Sequence, residues 1–125
     1  MNLPFGCETD LVKSCLQICQ WSNVVSDAWR NNTGAAVLPG KGGAPRPVYF
    51  GRKGVSDILG ITATGRFLAI ECKMPRGSLS HHQKNFLARV HEAGGVALVI
   101  RDTAELLAAL THLTQDPAWR PRQVG

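Results

Sequence analysis

Two apolar segments joined by a short turn constrain the fold more than any other stretch of this sequence. They lie in residues 54–73, GVSDILGITATGRFLAIECK, and each has the length and composition of a strand that enters a core. Three charged residues interrupt them: Asp57, Glu71 and Lys73. Because burying a charge is costly unless another group pairs with it, these residues mark either a solvated strand end or a site built at the core.

The turn predicts how the two strands pair. Gly65 suits the last, left-handed position of a hairpin loop over residues 63–65, and this loop pairs Thr62 with Arg66. Counting back along both strands places the aspartate directly opposite the glutamate, on one face, with Cβ atoms about 5 Å apart. The lysine lies two residues beyond the glutamate and projects to that face as well. A shift of one residue would separate the two acids, so the register is a specific prediction.

A carboxylate pair of this kind favours a metal site. The two groups repel each other and hold one proton between them unless a cation intervenes, and a hard divalent ion such as Mg²⁺ prefers oxygen ligands. The lysine could hold or help deprotonate an attacking water, or neutralise charge that develops on a phosphate. Cys72 projects to the opposite face and is predicted to be core, while its backbone carbonyl would lie near the metal as a further ligand. The alternative, an exposed and salt-bridged strand end, is disfavoured because both faces are otherwise apolar.

Upstream, apolar residues at helical spacing predict a long first helix from about Glu8 to Arg30, which could break near the β-branched residues 24 and 25. Glu8 lies one turn before the first apolar positions and faces the same side as the buried stripe. Two interpretations of this acid stay open: it complements the helix dipole, or it is directed into the site. The stripe consists of Leu11, Cys15, Ile18, Val25 and Trp29.

The remaining elements predict an α/β domain with a mixed central β-sheet flanked by helices, in the order α-β-β-β-α-β-α. Turn residues, caps and apolar runs delimit them. They are a glycine- and proline-rich loop at 31–47, a strand at 48–50, the hairpin, a helix from Ser80 to about Ala93, a strand at 96–101, and a helix that begins at a capping box on Asp102 and ends near Leu113.

The charge balance favours an anionic partner. The 125 residues include 14 Lys and Arg against nine Asp and Glu, a net charge of +5, and nucleic acid is the commonest large polyanion. The alternative is a solvated surface that happens to be cationic. The length suits one domain, predicted over residues 1–113, with a basic tail over residues 114–125 that carries Arg120 and Arg122. Four further cations precede the hairpin and are candidate contacts to a nucleic-acid backbone: Lys41, Arg46, Arg52 and Lys53.

The composition disfavours several classes of protein. No stretch reaches the roughly 18 uninterrupted apolar residues of a membrane span, and the N-terminus lacks the pattern of a secretory signal. Four irregularly spaced cysteines favour free thiols and a cytoplasmic location. Cys15 and Cys19 share a helix face but have no second ligand pair, so zinc is not expected. His81 and His82 diverge by about 100° on a helix, cannot chelate together, and are expected to face solvent or a phosphate.

The segments GVSDILG, IECK and GSLSHHQKNFLARVHEAGGVALVIRD together resemble the VRR-type nuclease domain of the PD-(D/E)xK nuclease superfamily. The resemblance spans roughly residues 8–102 and implies a restriction-endonuclease-like core. Residue by residue, it implies that Asp57 and Glu71 bind metal and that Lys73 is the catalytic lysine.

Two further positions match the family. Glu8 matches the acid on the first helix, which would add a metal ligand beside the Cys72 carbonyl, and Gln83 matches the glutamine on the helix after the site. A structural interpretation of the glutamine competes, because Ser80-x-x-Gln83 is a capping box in its own right. The family's proline before the aspartate is replaced by Ser56, a change that affects the strand entry and not the chemistry.

The resemblance implies a DNA endonuclease that depends on Mg²⁺ or Mn²⁺. Standalone domains of this length resemble phage-encoded or resolvase-like enzymes, which implies a homodimer that acts on branched DNA such as Holliday junctions, in the cytoplasm of a bacterium or a phage-infected host cell. Trp21, Trp29 and Trp119 are candidates for an apolar interface between the copies. Two alternatives remain: a nucleic-acid-binding module without chemistry, which the filled catalytic positions disfavour, and a cysteine-based zinc or redox protein.

Overall fold

The computed structural model describes residues 6–32, 34–115 and 117 of the chain. Within this part the chain forms three α-helices, six strands and one 3₁₀ turn. In chain order these elements are α1 (Glu8–Trp21), β1 (Val25–Arg30), β2 (Gly34–Pro39), the 3₁₀ turn (Lys41–Gly43), β3 (Pro45–Phe50), β4 (Ile58–Thr62), β5 (Phe67–Cys72), α2 (His81–Glu92), β6 (Val96–Ile100) and α3 (Thr103–Leu113).

Four of the strands form a mixed sheet in the order β1-β4-β5-β6. The β1–β4 and β4–β5 pairs are antiparallel, whereas β5 and β6 are parallel because α2 forms the crossover between them. Helices α1 and α3 share one apolar cluster on the sheet through Leu11, Cys15 and Leu106, and α2 forms a second cluster through Leu87 and Val90. The predicted fold class, an α/β domain with a mixed sheet flanked by helices, is confirmed.

Strand β5 is buried on both faces, which explains its nearly continuous apolar sequence. Leu68, Ile70 and Cys72 belong to the α1–α3 cluster, and Ala69 belongs to the α2 cluster. The complete burial of Cys72 confirms that its side chain is part of the core. The same alternation places Glu71 on the α2 face of the sheet.

The predicted hairpin register is confirmed. Strand β4 pairs with β5 from Ile58 opposite Ile70 to Ile61 opposite Phe67. The loop over residues 63–65 ends in Gly65 with a φ of 85°, a left-handed conformation that favours glycine. Continued by one residue beyond the ladder, this register places Asp57 opposite Glu71.

The predicted long first helix is wrong beyond Trp21. Residues Val25–Arg30 instead form β1, which pairs with β4 at the edge of the sheet. The two buried positions of this strand, Val25 and Ala28, lie three residues apart because the register shifts between Val25 and Asp27. A β-bulge of this kind produces the spacing of a helix in a strand, which explains the error.

The predicted loop at residues 31–47 is also wrong for most of its length. Strands β2 and β3 form an antiparallel hairpin that extends from Gly34 opposite Phe50 to Pro39 opposite Pro45. Proline is tolerated where the missing N–H would point away from the partner strand, so a proline-rich segment can pair on one side. The strand predicted at residues 48–50 is the last part of β3.

The other elements agree with the sequence. Ser80 caps α2, and Asp102 caps α3 by accepting a hydrogen bond from the Glu105 N–H at 2.9 Å. The candidates in the tail, Trp119, Arg120 and Arg122, lie outside the described residues. None of the described helices is long and apolar enough to cross a membrane.

Candidate active site

Three carboxylates meet where the β4–β5 hairpin faces the start of α1. Glu8 is the first residue of α1, Asp57 directly precedes β4, and Glu71 lies in β5. One carboxylate oxygen from each residue lies within 4.8 Å of the others. The hairpin register brings the aspartate and glutamate together, and the packing of α1 on the sheet brings in Glu8.

The Asp57 carboxylate is held by the neighbouring strand. Its Oδ2 accepts a hydrogen bond from the backbone N–H of Cys72 at 2.8 Å. Its own backbone carbonyl accepts from the N–H of Asn31, the residue directly after β1, at 2.8 Å. The side chain is therefore fixed from β5 and its backbone from β1, which leaves the second carboxylate oxygen available to a ligand.

Glu71 is 2% exposed, so its carboxylate needs a cation or a proton to balance its charge. Its Oε1 accepts a hydrogen bond from the Gln83 side-chain amide at 2.9 Å, whereas its Oε2 is buried with no partner among the described residues. Burial and, after it, the negative charge of Asp57 raise the pKa of Glu71 from 4.5 to about 8, and the positive charge of Lys73 opposes this shift.

These residues fit a divalent metal. A hard cation beside the Glu71 Oε2 would supply the missing partner and remove the repulsion among the three carboxylates. In the described part of the chain, this is the one group of three or more His, Cys, Asp or Glu side chains arranged to hold a metal ion. The group contains no cysteine, so the geometry gives the zinc alternative no support.

Gln83 makes the contacts that both interpretations of its sequence context require. Its Oε1 accepts from the Ser80 N–H at 2.8 Å, and the Ser80 hydroxyl accepts from the Gln83 N–H at 3.2 Å, which completes the predicted capping box. Its Nε2 donates to Glu71. The capping box therefore fixes the amide in the orientation that presents its donor to the buried carboxylate.

Lys73 continues β5 by one residue and is half-buried, and its N–H donates to the Ile100 carbonyl at 3.0 Å. The loop that follows is held by Arg101, whose Nη1 donates to the carbonyls of Met74 at 2.7 Å and Gly77 at 2.8 Å. The sequence analysis did not single out Arg101. The feature of the sequence that could have indicated it is a basic residue directly after the buried strand β6.

A cavity of about 330 Å³ opens over the carboxylates of Asp57 and Glu71. Of the four cations predicted to contact nucleic acid, Lys53 lines this cavity, whereas Lys41 and Arg46 lie on the β2–β3 hairpin and Arg52 packs over the ring of Phe86 at 5.9 Å. The complete lining comprises Asn31, Lys53, Gly54, Val55, Asp57, Glu71, Ser80, His82 and Gln83.

His82 was assigned to solvent or a phosphate by the sequence, and it lies on the cavity wall. Gly54 makes this placement possible because it has a φ of 83° and a Cβ there would collide with the His82 backbone. The loop before Asp57 and the start of α2 consequently approach each other closely across the cavity.

Three of the four cysteines are core residues, and the fourth, Cys7, is exposed. Cys15, Cys19 and Cys72 are buried free thiols. Burial raises the pKa of Cys19 to about 12, and a hydrogen bond with Cys15 together with burial raises the pKa of Cys72. The hydrogen bond with Cys72 lowers the pKa of Cys15, whereas the neutral thiols of Cys19 and Cys72 are poor nucleophiles and poor metal ligands, which disfavours the redox and zinc alternatives for these two residues.

The model of the VRR-NUC domain family matches residues 11–103 of the chain. The protein belongs to the VRR-NUC family. The match covers the hairpin, α2 and β6, and it supports the restriction-endonuclease-like fold. Membership implies a nuclease-type function, DNA as the substrate and, in general terms, the use of a divalent metal. Comparisons with curated proteins and with solved structures returned no match.

Proposed function

We propose that this VRR-NUC protein is a divalent-metal-dependent DNA endonuclease that hydrolyses phosphodiester bonds at the Glu8–Asp57–Glu71 site. The observation that carries the proposal is the buried, unpartnered Oε2 of Glu71 within a cluster of three carboxylates, inside a nuclease-family fold. A buried carboxylate without a counter-charge is costly, and a metal site gives a reason for its presence.

The residues of the site are proposed to have different roles. Asp57 and Glu71 would hold Mg²⁺ or Mn²⁺, with the Glu8 carboxylate and the Cys72 backbone carbonyl as further ligands. When bound, the ion supplies Lewis acidity toward the phosphoryl oxygen. Lys73 would either hold or help deprotonate the attacking water, as a neutral amine in the latter case, or neutralise charge that develops on the phosphate, as an ammonium.

Gln83 is proposed to position Glu71. Ser80, its partner in the capping box, provides a matched control. Gln83→Ala and Ser80→Ala each remove one half of the capping box, so both should lower stability by about 1 kcal/mol. Only the glutamine variant also loses the donor to Glu71. We expect cleavage by Gln83→Ala to fall about tenfold or more while Ser80→Ala retains near-normal turnover, measured beside the melting temperature of each. Equal activity in the two variants would limit Gln83 to the cap.

Lys41, Arg46, Arg52 and Lys53 are proposed to contact the DNA backbone. All four are exposed, on the hairpin and loop that lead to Asp57. Such contacts position a duplex without reading its sequence. The proposed substrate is branched DNA, Holliday junctions included.

The quadruple alanine variant of these cations should bind all DNA sequences more weakly and reduce the slope of log affinity against log salt by about one unit per lost phosphate contact. Turnover at saturating DNA should stay near normal. The measurement is a salt titration in EDTA, compared with Lys13→Ala/Arg89→Ala, which removes two exposed cations outside the cavity lining. An unchanged slope would place the DNA on another surface.

A homodimer is proposed on the evidence of an exposed apolar surface. Trp21 is 78% exposed and lines a groove of about 320 Å³ between α1 and α3, together with Leu107 and Leu110. Trp29 is also exposed, on β1. Light scattering of wild type and Trp21→Ser tests this assembly, since a monomeric wild type contradicts it.

The decisive experiment incubates the protein with labelled junctions, flaps, nicked and plain duplexes in Mg²⁺, Mn²⁺ or EDTA, with Asp57→Asn as the control. Cleavage that needs metal and is absent in the control supports the proposal. Binding without cleavage of any DNA in either metal would instead support the non-catalytic module.

A further inference from the structure

Strands β2 and β3 form a two-stranded ribbon that is not part of the four-stranded sheet. We call residues 34–50 the arm. Near its tip, Val37 is 71% exposed and Leu38 is 49% exposed, although adjacent residues of a strand point to opposite faces. Both faces of the arm are therefore open to solvent at this level.

One face of the arm is apolar. Val37 lies opposite Pro47, and Pro39 lies opposite Pro45, so these four exposed side chains share a face. The other face carries Leu38 opposite Arg46. Exposed apolar surface of this kind commonly marks an interaction site.

The prolines make the arm a poor partner for another strand. The Gly40 N–H donates to the Ala44 carbonyl at 2.6 Å, which places alternate pairs of the ladder in bonded positions. Pro45 and Pro47 occupy the intervening positions, whose N–H groups would point to the free edge of β3. That edge consequently lacks two donors, so strand addition from a second chain is disfavoured.

The charge of the segment matches a polyanion. Residues 31–56 contain four cations and no Asp or Glu. Two of the cations, Lys41 and Arg46, lie on the arm itself. The chain on both sides of the arm lies beside the site, because Asn31 is hydrogen-bonded to Asp57 and Lys53 lines the cavity.

We propose that the arm is a second DNA-contacting element, with its apolar face in a groove of the duplex beyond the phosphate that is cleaved. The inference rests on the proposed function, since it takes DNA as the substrate of the neighbouring site. A two-stranded ribbon fits a groove of the double helix, and valine and proline side chains can pack against sugars and base steps there. Lys41 lies in the turn at the tip and Arg46 on the face that points away from the groove, and both are proposed to neutralise phosphates of the flanking backbone. Strands of six residues reach about 20 Å, or roughly six base pairs.

Adjacent residues on opposite faces provide the matched test. Val37→Ser should weaken binding to a long duplex in EDTA about fivefold with an unchanged salt slope, because it removes apolar contact and no charge. Leu38→Ser, on the other face, should bind within about twofold of wild type. Equal losses, or no loss in Val37→Ser, overturn the proposal.

A shortened arm tests how far the arm extends along the DNA and whether DNA is what the arm contacts. An Asn-Gly turn in place of residues 37–47 joins Ala36 to Val48, which are already paired. We expect binding to fall about tenfold or more and the salt slope to fall by about two units, for the loss of Lys41 and Arg46. The difference from wild type should disappear on duplexes that lack the outer six or so base pairs.

Two further results keep this inference separate from the nuclease proposal. Light scattering overturns it if shortening the arm converts a dimer to a monomer, because the arm would then join two copies. The binding measurements contain EDTA, so an arm effect without metal-dependent cleavage of any DNA supports the arm and rejects the nuclease. Cleavage by wild type together with unchanged binding by both arm variants rejects the arm and retains the nuclease.

Discussion

Replacement of Glu71 by glutamine is expected to abolish DNA cleavage and, in the metal-free protein, to raise the melting temperature. The first effect follows from the loss of a metal-ligating charge, since several kcal/mol of charge stabilisation correspond to about a thousandfold in rate or more. The second follows from burial. A neutral amide can accept from Gln83 and donate to Asp57 without the cost of an ionised group at this position.

The stability effect has a defined pH dependence. Because the native-state pKa of Glu71 is raised to about 8 from 4.5, the native state retains a proton that the unfolded state has lost. The free energy of unfolding of the wild type therefore falls as the pH rises from about 4.5 to about 8, whereas glutamine does not titrate. The melting temperature of the variant should exceed that of the wild type by a margin that widens over this range and levels off above it.

The measurement combines DNA cleavage in Mg²⁺ or Mn²⁺ with thermal melts in EDTA at several pH values. Asp57→Asn and Lys73→Ala are the companion variants, and both should lose cleavage while retaining the fold and DNA binding. Wild-type turnover in any of the three would remove that residue from the mechanism. A constant melting difference between pH 5 and pH 8 would contradict the buried, uncompensated state of Glu71.

Glu8→Gln should reduce turnover by orders of magnitude with little change in melting temperature. Its carboxylate lies within 4.8 Å of the other two, so its loss removes a charge from the metal site itself. If the acid only complemented the dipole of α1, the change would cost at most about 1 kcal/mol of stability and leave activity intact.

Asp10→Asn is the matched control for this prediction. Asp10 is the other acid in the first turn of α1, it is exposed, and it is not in the carboxylate cluster. Its replacement should reproduce any dipole effect and leave turnover unchanged. Similar melting shifts with normal turnover in both variants would return Glu8 to a purely structural role.

Local contacts were predictable from the sequence because the residues that make them are close together in the chain. A left-handed glycine determines the length of the hairpin loop, the loop determines the register, and the register determines that Asp57 faces Glu71. The capping box at Ser80 and Gln83 is local in the same sense. The apolar run of β5 likewise indicated a central strand, because both of its faces are covered.

The tertiary structure alone decided the features that depend on distant packing. A bulge gave β1 the spacing of a helix, and its identity as a strand comes from pairing with β4. Glu8 enters the site because α1 packs on the sheet, and the Gln83 amide reaches Glu71 because α2 covers the opposite face. The spacing of residues in a sequence indicates which residues are neighbours within one helix or strand. The burial that leaves the Glu71 Oε2 without a partner depends instead on elements that are far apart in the chain.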